Sequence, residues 1–256
     1  IARRQRQMCI RDRDIITPLG NIDNHARRFA PAVVVLPHAG GSPRFYAHWA
    51  ETLPYHQLWG IVYPGRDSRF HTPHPASLPA LARECALHLD ALLPIRPALL
   101  IGHSMGAWVA WETARYLEQM TPERSIITVV SGQNPPDCLP GTTLHKEDDS
   151  ALIADMNRQN PSHRDFWQIP ELRELFLPMI REDYRLLETY CPQMGTVADL
   201  TVVYGAEDQE INRSALHRWS YTSHGNFRIR CLPGGHFYMA PPDTSLPHYL
   251  GELLPC

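Results

Sequence analysis

The six cysteines, Cys9, Cys85, Cys138, Cys191, Cys231 and Cys256, form no CxxC pair and no Cys/His cluster at zinc spacing. A disulfide-stapled miniprotein and a zinc module are therefore both poor readings, and the cysteines read as free thiols. No stretch approaches the roughly 20 apolar residues of a membrane span, and the basic opening Ile1 to Arg13 lacks the apolar core of a secretory signal. These absences lead us to expect a cytoplasmic protein with no membrane partner. Nor is there an excess of positive charge, since 24 Lys plus Arg face 27 Asp plus Glu for a net charge of −3. Without a positive field to hold a phosphate backbone, nucleic acid is not an expected partner. The sequon Asn212-Arg213-Ser214 reads as coincidence in a chain with no export signal. Internal repeats are also lacking.

What is present suits one domain with a substantial core: 256 residues, 43% hydrophobic against 20% charged. Proline is abundant at 24 residues, about twice its usual share of roughly 5%, and it gathers in loops. Apolar runs alternate with helical patterns along the chain. Val33 to Leu36, Leu58 to Tyr63, Ala98 to Ile101, Ile126 to Val130, Thr201 to Tyr204 and Phe227 to Leu232 are short and largely apolar, as strands buried in a sheet should be. Helical stripes cover Leu78 to Leu92, Met105 to Gln119 and a last segment near His248 to Leu254. Ser42-Pro43 reads as an N-cap with proline at the first helical position, opening a helix through Phe45, Trp49 and Leu53. This rhythm predicts an α/β fold with a mostly parallel sheet covered on both faces.

Between Val130 and Thr201 the rhythm breaks into helical patterns without a convincing strand, and Pro178 is expected to break or kink the segment around it. Two readings stand for this stretch: an extra helical layer of the core, or a lid over a site beside the sheet. The expected organisation is an N-terminal extension over residues 1–30 and a single domain over 31–256, with a lid insertion over about 138–192.

The chemistry is carried by Gly102-His103-Ser104-Met105-Gly106, which fits G-x-S-x-G. Alone the pentapeptide is weak evidence, but it sits directly between a strand and a helix, where a nucleophile elbow belongs. A serine hydroxyl is a poor nucleophile at its own pKa, so a base and an acid must follow. After the strand ending at Tyr204 comes Gly205-Ala206-Glu207-Asp208, and after the last strand Gly234-Gly235-His236-Phe237. Ser104, Asp208 and His236 thus stand in the order of α/β-hydrolases. His236 is the expected base, with Asp208 holding its other ring nitrogen; Glu207 and Asp137 are rivals for the acid. The backbone N–H of Met105, at a helix start, and that of Ala39, in the loop His38-Ala39-Gly40-Gly41, are the expected oxyanion donors. The alternative for Gly40-Gly41 is a plain turn.

Together, Pro37-His38-Ala39-Gly40-Gly41-Ser42, Tyr63-Pro64-Gly65-Arg66, the serine motif with Ala107, the acid loop and the histidine loop resemble the type II thioesterases that accompany nonribosomal peptide synthetases and polyketide synthases. The segment from Glu171 to Tyr190 is similar to the lid of that family, and the resemblance spans roughly Ala32 to Leu254. One departure is Asp208-Gln209, where the family often shows Asp-Pro.

The resemblance implies an α/β-hydrolase fold with a helical lid, and a trans-acting hydrolase. Such an enzyme clears stalled or misloaded acyl groups from the phosphopantetheine arm of acyl or peptidyl carrier proteins, through an acyl-enzyme on Ser104. No cofactor and no metal is called for, and a monomer is expected. Arg66, Arg69, His71 and His74 follow a strand end and are candidates for meeting the phosphate of the arm or an acidic carrier domain, the alternative being solvated surface. Competing readings are a carboxylesterase or lipase on free esters, medium-chain acyl release from a fatty acid synthase, and a catalytically idle fold serving as an interaction module.

Overall fold

In a computed structural model, described for residues 15–20, 30–93 and 97–254, seven strands form one sheet in the order β1-β3-β2-β4-β5-β6-β7. These are β1 (Ile16–Pro18), β2 (Ala32–Leu36), β3 (Gln57–Ile61), β4 (Ala98–His103), β5 (Ile126–Ser131), β6 (Asp199–Gly205) and β7 (Phe227–Leu232). All pairs are parallel except β1 with β3. The central strands are largely apolar because both faces are covered: Val34 and Leu100 turn to one core, Val33, Val35 and Leu99 to the other. Helices α2 (Leu78–Leu92) and α3 (Met105–Met120) pack on the first face. The one-turn α1 (Trp49–Thr52) and the terminal α6 (Ser245–Leu253) pack on the second.

Three expectations are corrected. Residues 15–19, assigned to an extension, belong to the sheet: β1 pairs antiparallel with β3, and Ile15, Ile16 and Leu19 are buried. Two apolar side chains flank a three-residue strand, too short for a periodicity signal; the first dozen residues lie outside the described part. The helix expected from Ser42 to Leu53 is instead a 3-10 turn, Pro43–Tyr46, capped by Ser42, followed by α1. Pro178 does not break its helix. It lies inside α5 (Pro170–Glu188), on the solvent side, where a carbonyl deprived of its N–H partner can turn to water while Leu177, Met179, Ile180 and Tyr184 hold the inner side.

The stretch from Gly132 to Ala198 contributes no strand to the sheet and carries α4 (Asp149–Gln159) and α5. It has its own apolar cluster, Leu152, Trp167, Leu177, Met179, Ile180 and Tyr184, against which Ala39 packs. Among the described residues no helix is long and apolar enough to cross a membrane.

Candidate active site

The site begins at the end of β4. Ser104 sits at φ 52° and ψ −122°, a strained conformation for a residue with a Cβ. The glycines on either side make the turn possible. A Cβ on Gly102 would lie 1.8 Å from the Gly106 carbonyl oxygen, and one on Gly106 would lie 2.1 Å from the Leu36 carbonyl oxygen. Strand, elbow and helix therefore meet backbone to backbone. The Ser104 N–H donates to the Ser131 carbonyl at 2.8 Å and its own carbonyl accepts from the Ala107 N–H at 2.9 Å, tying the elbow to β5 and to the start of α3.

Asp208 and His236, the expected acid and base, are brought together at the ends of β6 and β7. Their loops are joined by backbone hydrogen bonds, Ala206 N–H to the Leu232 carbonyl (2.7 Å) and Glu207 N–H to the Gly234 carbonyl (2.9 Å). Asp208 is buried, and its Oδ2 lies 2.9 Å from His236 Nδ1. A carboxylate only accepts, so Nδ1 carries the proton and Nε2 is left with its lone pair. The Glu210 N–H donates to the other oxygen, Oδ1, at 3.0 Å. Both rival acids are placed elsewhere: Glu207 is exposed, and Asp137 is half-exposed and paired with Arg218. His236 and Ser104 line the same cavity of about 210 Å³, whose wall also includes Asn134, Arg158 and Glu210.

A second cavity, of about 230 Å³, also has Ser104 in its wall. Its wall is largely apolar and comes mostly from the helical excursion, with Met156, Phe166, Trp167, Phe176, Ile180 and Tyr184 beside the amides Gln159 and Asn160, and is completed by Phe237 and by His38 to Gly40. The excursion thus supplies most of the wall of a cavity that Ser104 also lines.

Behind the base lies an aromatic cluster. The rings of His103 and His236 are 4.8 Å apart, and His103 Nδ1 shares a hydrogen bond with Ser131 Oγ at 2.9 Å. Burial, and after it the neighbouring His236 and His38, holds His103 well below the usual imidazole range, so it stands neutral beside the base. His38 shares a hydrogen bond with Tyr46 at 2.8 Å and packs edge-on to Phe237.

The loop after β2 is more than a turn. Gly40 has φ +73°, and its N–H donates to Asp183 Oδ2 at 2.7 Å. The Gly41 N–H returns to the His38 carbonyl at 2.9 Å. Among the described residues the Ala39 N–H meets no acceptor. Of the four residues proposed for phosphate binding, Arg66 is buried against Asp183 and Arg69 against Glu84, whereas His71 is exposed and His74 is half-buried, with burial holding its imidazole below the usual range. Asp183 escaped sequence reasoning, although a carboxylate on the apolar face of α5, between Ile180 and Leu186, was a signal.

With this geometry in hand, the comparisons with known proteins decide the family. The thioesterase domain family matches residues 31–251. The chain belongs to the thioesterase family. It is 34% identical to "Thioesterase PikA5" of Streptomyces venezuelae, over 83% of this chain and 79% of that protein. It is 35% identical to "Probable cadicidin biosynthesis thioesterase" of Streptomyces griseus, over 92% of this chain and 67% of that one. Among solved structures, the type II thioesterase BorB from the borrelidin biosynthetic cluster matches with a TM-score of 0.80 and 29% identity, covering 94% of this chain and 96% of BorB. YbtT, a type II thioesterase from the yersiniabactin NRPS/PKS pathway, matches with a TM-score of 0.81 and 29% identity, covering 94% and 98%. This thioesterase therefore has the α/β-hydrolase fold that the residue order implied, and it is a hydrolytic enzyme.

Proposed function

We propose that this thioesterase hydrolyses acyl groups from the phosphopantetheine arm of acyl or peptidyl carrier proteins, in trans, as an editing enzyme of a nonribosomal peptide or polyketide synthetase. The reading places it in the cytoplasm as a separate monomer. The observation that carries it is the pair of cavities meeting at Ser104, one largely apolar and one of mixed lining with His236 in its wall. The apolar chamber takes the acyl chain, and the cavity of mixed lining takes the amide-rich arm.

In this mechanism Ser104 Oγ attacks the thioester carbonyl carbon while its proton passes to His236 Nε2, and Asp208 stabilises the imidazolium that forms. The N–H groups of Met105, in the first turn of α3, and of Ala39 receive the oxyanion. The C–S bond then breaks. A thiol with a pKa of about 8.5 departs largely as thiolate, so protonation of the leaving group matters less than in amide cleavage. His236 gives up its extra proton to the departed thiolate or to solvent; water then passes a proton to His236 Nε2 as its oxygen bonds the acyl carbon, and His236 returns that proton to Ser104 Oγ as the carboxylic acid leaves.

The test is the rate of acetyl release from an acetyl-phosphopantetheinyl carrier domain, beside the same acetyl group on a small free thiol and on a simple ester. The expected result is a strong preference for the carrier and loss of all turnover in Ser104→Ala. Equal turnover of the free ester would move the function to a general esterase. Persistent turnover in Ser104→Ala would remove Ser104 from the mechanism.

A further inference from the structure

Arg66 and Asp183 are among the most deeply buried charges of the molecule, 5% and 1% exposed. They come from elements far apart in sequence, the loop after β3 and the lid helix α5. Arg66 Nη2 lies 2.6 Å from both Asp183 oxygens, its Nη1 donates to the Gly41 carbonyl at 2.9 Å, and Asp183 Oδ2 accepts from the Gly40 N–H at 2.7 Å. The ion pair therefore grips the backbone of the loop after β2 twice, from its N–H side at Gly40 and its carbonyl side at Gly41, immediately after Ala39.

Burying two charges costs more in lost hydration than an apolar pair of the same size would, so stability alone is a weak reason for this pair. What an apolar pair cannot do is orient two peptide groups. A lone carboxylate next to a site where negative charge develops would oppose the reaction, and the guanidinium cancels it. Cause and geometry agree.

We propose that Arg66 and Asp183 are positioning residues for the oxyanion loop: the pair fixes the Ala39–Gly41 backbone for the transition state, and because Asp183 rides on the lid helix, it makes turnover conditional on that helix being seated. The inference rests on the Ser104 hydrolase reading and on Ala39 as an oxyanion donor.

Steady-state kinetics on an acetyl-phosphopantetheinyl carrier domain, with Arg66→Met, Asp183→Asn and the double variant, test it. Circular dichroism and thermal melting check each fold. Loss of an oriented oxyanion donor costs roughly 100-fold in kcat, and this is the effect expected for Arg66→Met, which leaves the carboxylate uncancelled. Asp183→Asn should cost about 10-fold, and the double variant should recover to near the Asp183→Asn level, with KM within about 3-fold throughout. The double variant keeps the net charge, so the pH midpoint of kcat/KM set by the base should stay in place. A raised KM at unchanged kcat, a double variant as poor as Arg66→Met, or a shifted midpoint would overturn the proposal. Should Arg66→Met not fold, Arg66→Lys, which keeps the charge and loses the two-pronged grip, applies the same criterion: reduced kcat at constant KM supports the role, and wild-type kcat refutes it. An inactive wild type, or a Ser104→Ala as active as wild type, would instead remove the hydrolase reading underneath.

Discussion

The two halves of the site are held by different forces. On the sheet side, Ser104, Asp208 and His236 are placed by backbone: glycines that let main chains touch, and amide-to-carbonyl bonds that join the elbow to β5 and the acid loop to the histidine loop. On the lid side, placement is by side chains. Asp183 meets Arg66, Arg181 meets Asp149, and Arg158 on α4 bridges to Glu210, just past the acid. Main-chain contacts have no rotamers to change, whereas ion pairs between flexible side chains can release and re-form.

That contrast can be broken from either side. The largest effect is expected on the sheet side at Asp208. Asp208→Asn should lower kcat by up to about 10⁴-fold while the fold persists, because the amide can present the wrong hydrogen-bonding edge to His236. Asp137→Asn should leave turnover near wild type, and steady-state kinetics on both variants distinguish the two carboxylates. Next comes Gly106→Ala, whose Cβ would press on the Leu36 and Pro37 carbonyl oxygens. Neither backbone can yield, so a loss of several kcal/mol is expected in a denaturant titration, if soluble protein is obtained at all.

A smaller effect is expected at His103. Its folded-state pKa is depressed, so below the unfolded value of about 6.5 the unfolded chain binds a proton that the native protein refuses. Stability should therefore fall as pH drops below that value, by up to about 1.4 kcal/mol per unit for this one group. His103→Gln should flatten the slope of stability between pH 6.5 and 5, measured by chemical denaturation. The smallest effect belongs to the lid side. Arg158 is half-exposed, and Arg158→Ala should cost under about 1 kcal/mol. A melting temperature falling by no more than a few degrees, with kcat unchanged, would sharpen the contrast; a large loss of kcat would blur it.

The same division explains what could be read from the sequence. The strands around the sheet centre are visible because burial on both faces makes them largely apolar runs, and α2 and β7 were expected with the bounds the structure gives them. The placement of Ser104, Asp208 and His236 near one another was legible because these positions follow strand ends in loops that carry glycines. The lid's wiring was not legible in that way. Arg66 in Tyr63-Pro64-Gly65-Arg66 read as a surface cation because its partner is 117 residues further on, and no local pattern records such a pairing. The expected break at Pro178 failed for a related reason: tertiary packing on the inner face of α5 outweighs the local preference. At β1, three residues carry too little pattern for a strand to be seen at all.

That short strand has a bearing on how the protein should be handled. The family match begins at residue 31, yet β1 covers the outer edge of β3 through the register Ile16 with Ile61 and Pro18 with Trp59. A chain trimmed to the family limits would leave a row of amide and carbonyl groups of β3 without partners, beside apolar surface formerly under Ile15, Ile16 and Leu19. Such an edge invites a second molecule to supply the missing strand. Trimming would trade an enzyme with a covered edge for one inclined to stack on itself.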